Sequence, residues 1–154
     1  MDNKVIFHDS DVREVSFGKS VVVVRPVNLY ECTIGDFCFI GPFVEIQKGV
    51  TIGSKTKIQS HTFICELVSI GENCFIGHGV MFINDLFKDG GPANGNRSKW
   101  LSTKISNNVS IGSNATILPV SVCSNVVIGA GSVVTKDIII PGIYAGNPAK
   151  LLKK

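Results

Sequence analysis

The stretch IGDFCF-IGPFVE-IQKGVT-IGSKTK-IQSHTF-ICELVS-IGENCF-IG, residues 34–77, places an isoleucine at every sixth position. The inward series continues, with one residue lost after Pro119, at Ile105, Ile111, Ile117, Val122, Ile128, Val134 and Ile140. A period of six does not fit an α-helix, whose apolar residues recur every three or four positions. It is typical of a short strand followed by a tight turn, with three hexads in each turn of a coil. The sequence therefore predicts an all-β solenoid with about 18 residues per turn.

The composition agrees with this interpretation and excludes several functions. The chain has 18 Ile and 19 Val against 7 Leu, together with 16 Gly, a balance that favours strands and turns. The net charge of +3 is small and scattered, so nucleic acid is not an expected partner. With no long apolar run and no resemblance to a signal peptide, we expect no membrane association and a cytoplasmic location. The five cysteines include no CxxC pair, and most of them are expected to be reduced core residues.

The repeat divides the chain into parts of one single β-helix domain. Coils are predicted over residues 28–82 and 105–148, with a cap over 1–27 and a tail over 149–154. Between the two sets of coils lies a loop, residues 83–104, that is rich in Gly, Asn and Lys. Loops of this length in compact domains are usually either functional or disordered, and we expect a projecting functional loop.

Counting in steps of 18 predicts which residues stack. Pro42, Ser60 and His78 share one corner, and His61 lies beside them. A second corner collects Lys48, Glu66 and Asn84, and outward apolar side chains recur on two faces at Phe39, Phe63, Phe75 and Met81. Exposed Phe and Met in such columns favour contact with a second subunit.

The hexads resemble the motif [LIV]-[GAED]-x-x-[STAV]-x of the hexapeptide-repeat acyltransferases. The resemblance implies a left-handed parallel β-helix with a triangular cross-section, usually assembled as a homotrimer. It also implies that the loop reaches a neighbouring subunit, which would place the active sites between subunits.

The stretches IGAGSVVTKD, residues 128–137, and YAGNPAK, residues 144–150, resemble the coenzyme A end of hexapeptide acetyltransferases. This implies acetyl-CoA as co-substrate, with pantetheine hydrogen-bonded to the backbone at Gly112 and Ala130. Lys136 and Lys150 are then candidates for the coenzyme phosphates, since ammonium groups bind phosphate well. The alternative for Lys150 is an ordinary solvated lysine near a chain end.

Residues 26–47 and the stretch IGHGVMFIND, residues 76–85, resemble bacterial N-acetyltransferases of nucleotide-linked amino sugars. The implied reaction is acetylation of a nucleotide-linked, dTDP-type 3-amino-3,6-dideoxyhexose for surface polysaccharide synthesis. A UDP-linked amino sugar, or O-acetylation of another small acceptor, are the alternatives. Two departures from the pattern are Glu31, where a small residue is expected, and the residue lost after Pro119.

Three residues near the loop are the candidate catalytic groups. His78 is the candidate base for a sugar amine, because imidazole titrates near neutrality. The alternative is a corner histidine that only hydrogen-bonds the next coil or lies in a subunit contact. Asn84 is expected to orient the amine or a water molecule, and Asp85 to assist, although an Asp opening a Gly-rich loop often forms a turn.

Four further residues are candidate substrate contacts. Glu45, Gln47 and His61 are expected to meet the sugar or its pyrophosphate, with solvated surface as the alternative. Trp100 is expected to flank the nucleotide or coenzyme, with packing at the loop base as the alternative.

Two other functions compete with acyl transfer. The γ-class carbonic anhydrases share this coil but require three histidines on zinc. Here the histidines are His8, His61 and His78, with His8 in the predicted cap, so no metal is expected. The second competitor is a scaffold that keeps the coil for assembly alone, which the intact GAGSVVTKD segment and the long loop argue against.

Overall fold

A computed structural model describes residues 9–94 and 96–153, which form a left-handed parallel β-helix. The only helix in that part of the chain is a single 3-10 turn at Arg97–Lys99. The strands are, in chain order, β1 (Val12–Arg13), β2 (Ser16–Phe17), β3 (Val22–Val23), β4 (Asn28–Tyr30), β5 (Thr33–Ile34), β6 (Phe39–Ile40), β7 (Glu45–Ile46), β8 (Thr51–Ile52), β9 (Lys57–Ile58), β10 (Phe63–Ile64), β11 (Val68–Ile70), β12 (Phe75–Ile76), β13 (Met81–Phe82), β14 (Thr103–Ile105), β15 (Ser110–Ile111), β16 (Thr116–Ile117), β17 (Ser121–Val122), β18 (Val126–Ile128), β19 (Val133–Val134), β20 (Gly142–Ala145) and β21 (Lys150–Lys153).

The strands form three sheets, which are the three faces of the coil. Face 1 runs β1-β4-β7-β10-β13-β16-β19, face 2 runs β2-β5-β8-β11-β14-β17, and face 3 runs β3-β6-β9-β12-β15-β18-β20-β21. Glu45 pairs with Phe63, and Phe63 pairs with Met81, as the count of 18 predicted. Each named strand pairs in parallel, except that β21 folds back antiparallel on β20. The predicted all-β solenoid is confirmed.

The repeated isoleucines fill the interior. Ile40, Ile46, Ile58, Ile64 and Ile76 have no solvent exposure, and each lies between its equivalents in the turns above and below. Polar residues at inward positions are satisfied by the backbone: the Thr62 hydroxyl, for example, donates to Gly77 O at 2.9 Å. Four of the five cysteines are buried, and burial raises the pKa of Cys65 to about 12. They are core residues with free thiols, as predicted.

The corners between faces share one backbone conformation. The third residue after each repeated isoleucine has a positive φ, as seen at Phe37, Phe43, Gly49, Lys55, His61, Leu67, Asn73 and Gly79. A corner of the regular coil is therefore three residues long, with the last in the left-handed region. Glycine and asparagine adopt this conformation readily, whereas a bulky side chain does so at a cost.

The coil extends further than predicted at its start. The predicted cap, residues 1–27, contains β1, β2 and β3, which stack beneath β4, β5 and β6. Val12, Val15, Val21 and Val23 supply the inward side chains of this turn. The Ile count missed it because the spacing of inward residues falls to five between Leu29 and Ile34. Residues 1–8, including His8, lie outside the described part of the chain.

The other end of the coil also differs from the prediction. Ile140 was assigned an inward position but is 44% exposed, while Ile138 is buried. Tyr144 takes the inward position above Ile128, because β20 pairs with β18 after a shortened turn. The predicted tail, residues 149–154, contains β21. Among the described residues, no helix has the length and apolar character needed to cross a membrane.

Candidate functional site

The candidate residues lie along the two edges of face 1. We call the edge between faces 3 and 1 the histidine corner; it consists of residues 24–26, 41–43, 59–61, 77–79, 112–114 and 129–131. We call the edge between faces 1 and 2 the loop corner; it consists of residues 13–14, 30–31, 47–49, 65–67, 83–102, 118–119 and 135–137. Each strand of face 1 runs from the histidine corner to the loop corner.

His78 is held by the turn that precedes it. Its Nδ1 atom lies 2.9 Å from the hydroxyl of Ser60, directly below it in the histidine corner. The main chain is fixed as well, since Asn114 N donates to His78 O at 2.8 Å. The side chain is exposed. An imidazole bonded through Nδ1 presents its Nε2 atom as the group available for proton transfer.

His61 lies beside His78 in the same corner but makes a different contact. Its ring stacks on Phe43 of the turn below, with centroids 4.8 Å apart and an interplanar angle of 26°. Both residues have positive φ, 62° and 59°, and Phe43 is 57% exposed. The result is an exposed aromatic surface on the early turns of the histidine corner.

The predicted coenzyme residues Gly112 and Ala130 continue the same corner above His78. A Cβ atom on Gly112 would lie 2.4 Å from Ala130 N, so glycine is needed for the two turns to stack. The N–H of Gly112 donates to Ile128 O at 2.7 Å. The N–H of Gly112 is therefore already used within the coil, and its carbonyl oxygen accepts a long bond from Ala115 N at 3.4 Å, so that a bond from pantetheine would use the second lone pair of that oxygen.

The two predicted phosphate ligands are not brought together. Lys136 is exposed in the loop corner of the last turn. Lys150 begins β21 and pairs with Ala145, beside Gly129 of the histidine corner. Of the two, only Lys150 lies on the same edge as Gly112 and Ala130.

Glu66 joins three of the candidate residues in the loop corner. The sequence predicts its place in this corner but not a functional role for it. Gln47 Nε2 donates to Glu45 Oε1 at 2.9 Å, and Gln47 Oε1 accepts from Glu66 N at 3.3 Å. Asn84 Nδ2 donates to Glu66 O at 3.2 Å. The Glu66 side chain forms an ion pair with Arg97 from the far side of the loop. Glu66 thus connects two candidate substrate residues to the base of the loop.

Tyr30 and Glu31 border this network one turn below. Burial and the carboxylates of Glu45 and Glu66 raise the pKa of Tyr30, and the Arg13 guanidinium lies 5.2 Å from the centre of its ring. Glu31, the unexpected residue, has a positive φ of 48° and forms an ion pair with Lys48. The left-handed conformation explains why a small residue is expected there.

Asp85 and Trp100 close the base of the loop. The Asp85 carboxylate accepts from Phe87 N at 2.8 Å, and the backbones of Asp85 and Trp100 form an antiparallel bridge. Asp85 therefore acts locally as a turn former, the alternative stated for it above. It also lines a cavity that the loop encloses with Lys88, Asp89 and Lys99.

His78 and Asn84 lie on different edges of face 1 within one chain. They stand at opposite ends of β13, six residues apart, which corresponds to about 15–20 Å along an extended chain. In the part of the chain that the structure describes, no group of three His, Cys, Asp or Glu side chains is arranged to hold a metal ion.

Comparison with known proteins decides the family. The family described as bacterial transferase hexapeptide (six repeats) matches residues 31–66. The family described as hexapeptide repeat of succinyl-transferase matches residues 67–81 and 103–136. Together they cover more than half of the chain, and the second match is interrupted at the loop. The chain belongs to the hexapeptide-repeat acyltransferase family.

Members with similar sequence or structure have several activities. AntD, an N-acyltransferase from Bacillus cereus whose mutant was solved with dTDP and coenzyme A, has a TM-score of 0.79 and 26% identity over 90% of this chain and 82% of its own. The polySia-specific acetyltransferase NeuO has a TM-score of 0.63 and 28% identity over 95% of this chain and 85% of its own. The bifunctional protein GlmU of Clostridium botulinum is 36% identical over 140 residues, 87% of this chain. The chain spans about a quarter of the length of the GlmU proteins it matches.

Proposed function

We propose that this hexapeptide-repeat protein is a cytoplasmic acetyl-CoA-dependent N-acetyltransferase of a nucleotide-linked sugar. The acceptor is the amino group of a dTDP-linked 3-amino-3,6-dideoxyhexose, and the product serves bacterial surface polysaccharide synthesis. The observation that carries the proposal is the likeness to AntD, an N-acyltransferase solved with dTDP and coenzyme A, over 90% of the chain. The resemblance of residues 26–47 and 76–85 to amino-sugar N-acetyltransferases supports the same acceptor.

In the proposed reaction, the neutral sugar amine attacks the thioester carbonyl of acetyl-CoA. The C–N bond forms, the C–S bond breaks, and the sulfur leaves as coenzyme A thiolate. The proton lost by the amine passes to Nε2 of His78, which can return it to the thiolate. Gly112, Ala130, Lys136 and Lys150 bind the coenzyme in this proposal.

The remaining candidates bind and orient the acceptor. Asn84 and Asp85 at the loop base position the amine, and positioning alone can lower the barrier by several kcal/mol (about 7 at best). Glu45 and Gln47 contact the sugar, while His61 and Trp100 flank the nucleotide.

The separation of His78 from Asn84 leads us to propose intersubunit sites in a homotrimer. Faces 1 and 3 expose apolar side chains, with Met81 42% and Phe75 43% accessible. The outward residues of face 2 are polar, and they are Thr33, Thr51, Ser69, Lys104 and Ser121. Packing face 1 of one copy toward face 3 of the next would cover the apolar columns and bring one copy's loop to another's histidine corner.

The two alternative acceptors are a UDP-linked amino sugar and a sugar hydroxyl. A UDP-linked amino sugar would need the same amine chemistry. O-acetylation of a sugar is the second candidate, because the acetyltransferase NeuO and a maltose O-acetyltransferase from Clostridium difficile also superimpose on this chain.

The test is release of free coenzyme A thiol from acetyl-CoA with three acceptors: dTDP- and UDP-linked 3-amino sugars and a free sugar. We expect turnover with the dTDP-linked amino sugar, with its primary amine converted to an acetamide in the product. His78→Ala should lower kcat about 100-fold and change acetyl-CoA binding little, whereas His61→Ala, which removes a group proposed to flank the nucleotide, should raise KM for the acceptor and leave kcat nearly unchanged. Turnover of the free sugar alone, or a His78→Ala enzyme within a few-fold of wild type, would contradict the acceptor or the base, respectively.

A further inference from the structure

We propose that Ser60 is the positioning residue for His78: its hydroxyl holds the Nδ1–H tautomer of the imidazole, so that Nε2 is the basic atom. This inference rests on the proposed function, in which Nε2 receives the proton of the amine. The observation behind it is the 2.9 Å distance between Ser60 Oγ and His78 Nδ1 across two turns of the histidine corner.

The backbone of the coil fixes both ends of this contact. Gly79 N donates to Ser60 O at 2.9 Å, and Asn114 N donates to His78 O at 2.8 Å. Ser60 itself approaches the turn below closely, because a Cβ atom on Gly41 would lie only 2.8 Å from Ser60 N. The distance between the two side chains is therefore a product of turn stacking rather than of flexible surface side chains.

The hydroxyl suits both protonation states of the ring. Before proton transfer, Nδ1–H donates to Ser60 Oγ and Nε2 carries the lone pair. After Nε2 has taken the proton from the amine, Nδ1–H still donates to the same oxygen, and Ser60 neither gains nor loses a proton. If the bond ran in the opposite sense, with the hydroxyl donating to Nδ1, the proton would reside on Nε2 and the ring could not act as a base there.

Among the described members of this column, Ser60 is the residue whose side chain contacts the imidazole. Pro42 and Ala130 have no side-chain hydrogen-bonding group, and Ser113, the stacked residue one turn above, makes no hydrogen bond with His78 in the described structure. A matched serine exists at the same hexad position on another edge: Ser54, whose Oγ accepts from Asp36 N at 3.2 Å. Ser54 lies between faces 2 and 3, away from both edges of face 1.

The first experiment compares steady-state kinetics of Ser60→Ala, Ser60→Thr and the control Ser54→Ala in the full-length chain. We expect Ser60→Ala to lower kcat about 10-fold with KM for both substrates within about twofold. Ser60→Thr keeps the hydroxyl and should recover most of kcat, and Ser54→Ala should leave kcat unchanged. A Ser60→Ala enzyme as active as wild type, where His78→Ala is inactive, would overturn the inference.

The second experiment reads the tautomer directly, independently of activity. The chain has three histidines, so their ¹⁵N imidazole signals can be assigned with His61→Gln and His78→Gln variants. At about pH 9, we expect His78 to show the Nδ1–H tautomer in the wild type and the Nε2–H tautomer in Ser60→Ala. The same tautomer in both proteins would overturn the inference. If the tautomer changes but His78→Ala remains active, Ser60 still orients the ring and the failure lies in the proposed general base.

Discussion

The two edges of face 1 are built from the same hexads, but only one of them keeps its length. The histidine corner has three residues in each described turn, from 24–26 to 129–131. The loop corner has two residues at 13–14 and 30–31, three at 47–49 and 65–67, twenty at 83–102, and two at 118–119. The inward residues on either side of these corners are buried in every described turn except the first, where Val12, Val15 and Val23 are partly buried.

This difference shows which segments of the coil must keep a fixed length and which can vary in length. Inward positions must align because each turn contacts only the turns above and below it. A corner lies outside this stack, so its length can change where no neighbour depends on it. In the histidine corner, neighbours do depend on it: Ser60 contacts His78, and Gly112 lies against Ala130.

The most severe test of the comparison is to remove the loop. Residues 83–102 are replaced by Gln-Lys-Gly, the sequence of the loop corner at 47–49. Since three residues span this corner elsewhere, we expect the coil to stay folded, with Tm within about 5 °C of wild type. Acetyl transfer should fall at least about 100-fold, because Asn84, Asp85 and Trp100 are gone.

Circular dichroism and calorimetric Tm serve as the controls for this variant. Loss of the β-helix signal would mean that the loop corner is structural after all.

A smaller effect is expected from replacing one glycine on each edge by a residue with a side chain. Gly112→Ala places a Cβ 2.4 Å from Ala130 N, and the backbone must shift to admit it. We expect a loss of about 1–3 kcal/mol in the free energy of unfolding, measured by denaturant titration.

The matched variant in the loop corner is Gly49→Asn. Gly49 has a φ of +74° and no atom within 4 Å of an added Cβ. Asparagine tolerates the left-handed conformation, so the change should stay within about 0.5 kcal/mol. Equal losses for Gly112→Ala and Gly49→Asn would remove the distinction between a packed and an open edge.

The burial of the thiols beneath the loop corner can be tested by measuring how the free energy of unfolding changes with pH. Burial raises the pKa of Cys32 to about 11 and that of Cys65 to about 12, from an ordinary value of 9.0. Above pH 9 the unfolded chain loses these protons while the folded chain keeps them. Stability is therefore full below pH 9 and falls as pH rises toward 11, by about 1 kcal/mol per thiol at pH 10.

Unfolding titrations from pH 8 to pH 10.5 measure this slope. The double variant Cys32→Ala, Cys65→Ala should show a shallower slope than wild type, and Cys123→Ala serves as the control because that thiol is only half-buried. Identical slopes for the double variant and wild type would show that solvent reaches the interior at this edge.

The smallest expected effect concerns the ion pairs of the loop corner. Arg97→Met breaks the pair with Glu66 that joins the loop to the coil, and Lys48→Met breaks the pair with Glu31 one turn below. Exposed ion pairs contribute little, so both variants should lose less than about 1 kcal/mol. Hydrogen exchange should nevertheless increase in residues 84–101 of Arg97→Met only; faster exchange in Lys48→Met as well would show that the effect is general charge loss.

Features that follow the six-residue spacing could be predicted from the sequence. Features that depend on a change of spacing, or on how a loop folds back, could not. The column of Pro42, Ser60 and His78 follows from spacing alone, and the structure confirms its stacking. The first turn was missed because Val12 and Val15 replace isoleucine and the spacing slips there. The link from Glu66 to Arg97 could not be predicted, because it depends on how the loop folds back across a separation of 31 positions in the sequence.

The loop also changes the length of chain that must be closed to complete a turn. Stacked residues whose turn contains the loop are 35 positions apart, as for Val68 and Thr103, whereas stacked residues in the other described turns are 16 to 18 apart. Doubling the length of a flexible loop adds only about 0.6 kcal/mol of closure entropy. That is less than the net contribution of one typical hydrogen bond. A β-helix can therefore acquire a chemically rich excursion at a corner for almost no thermodynamic cost, provided that the next strand returns to the ladder in register.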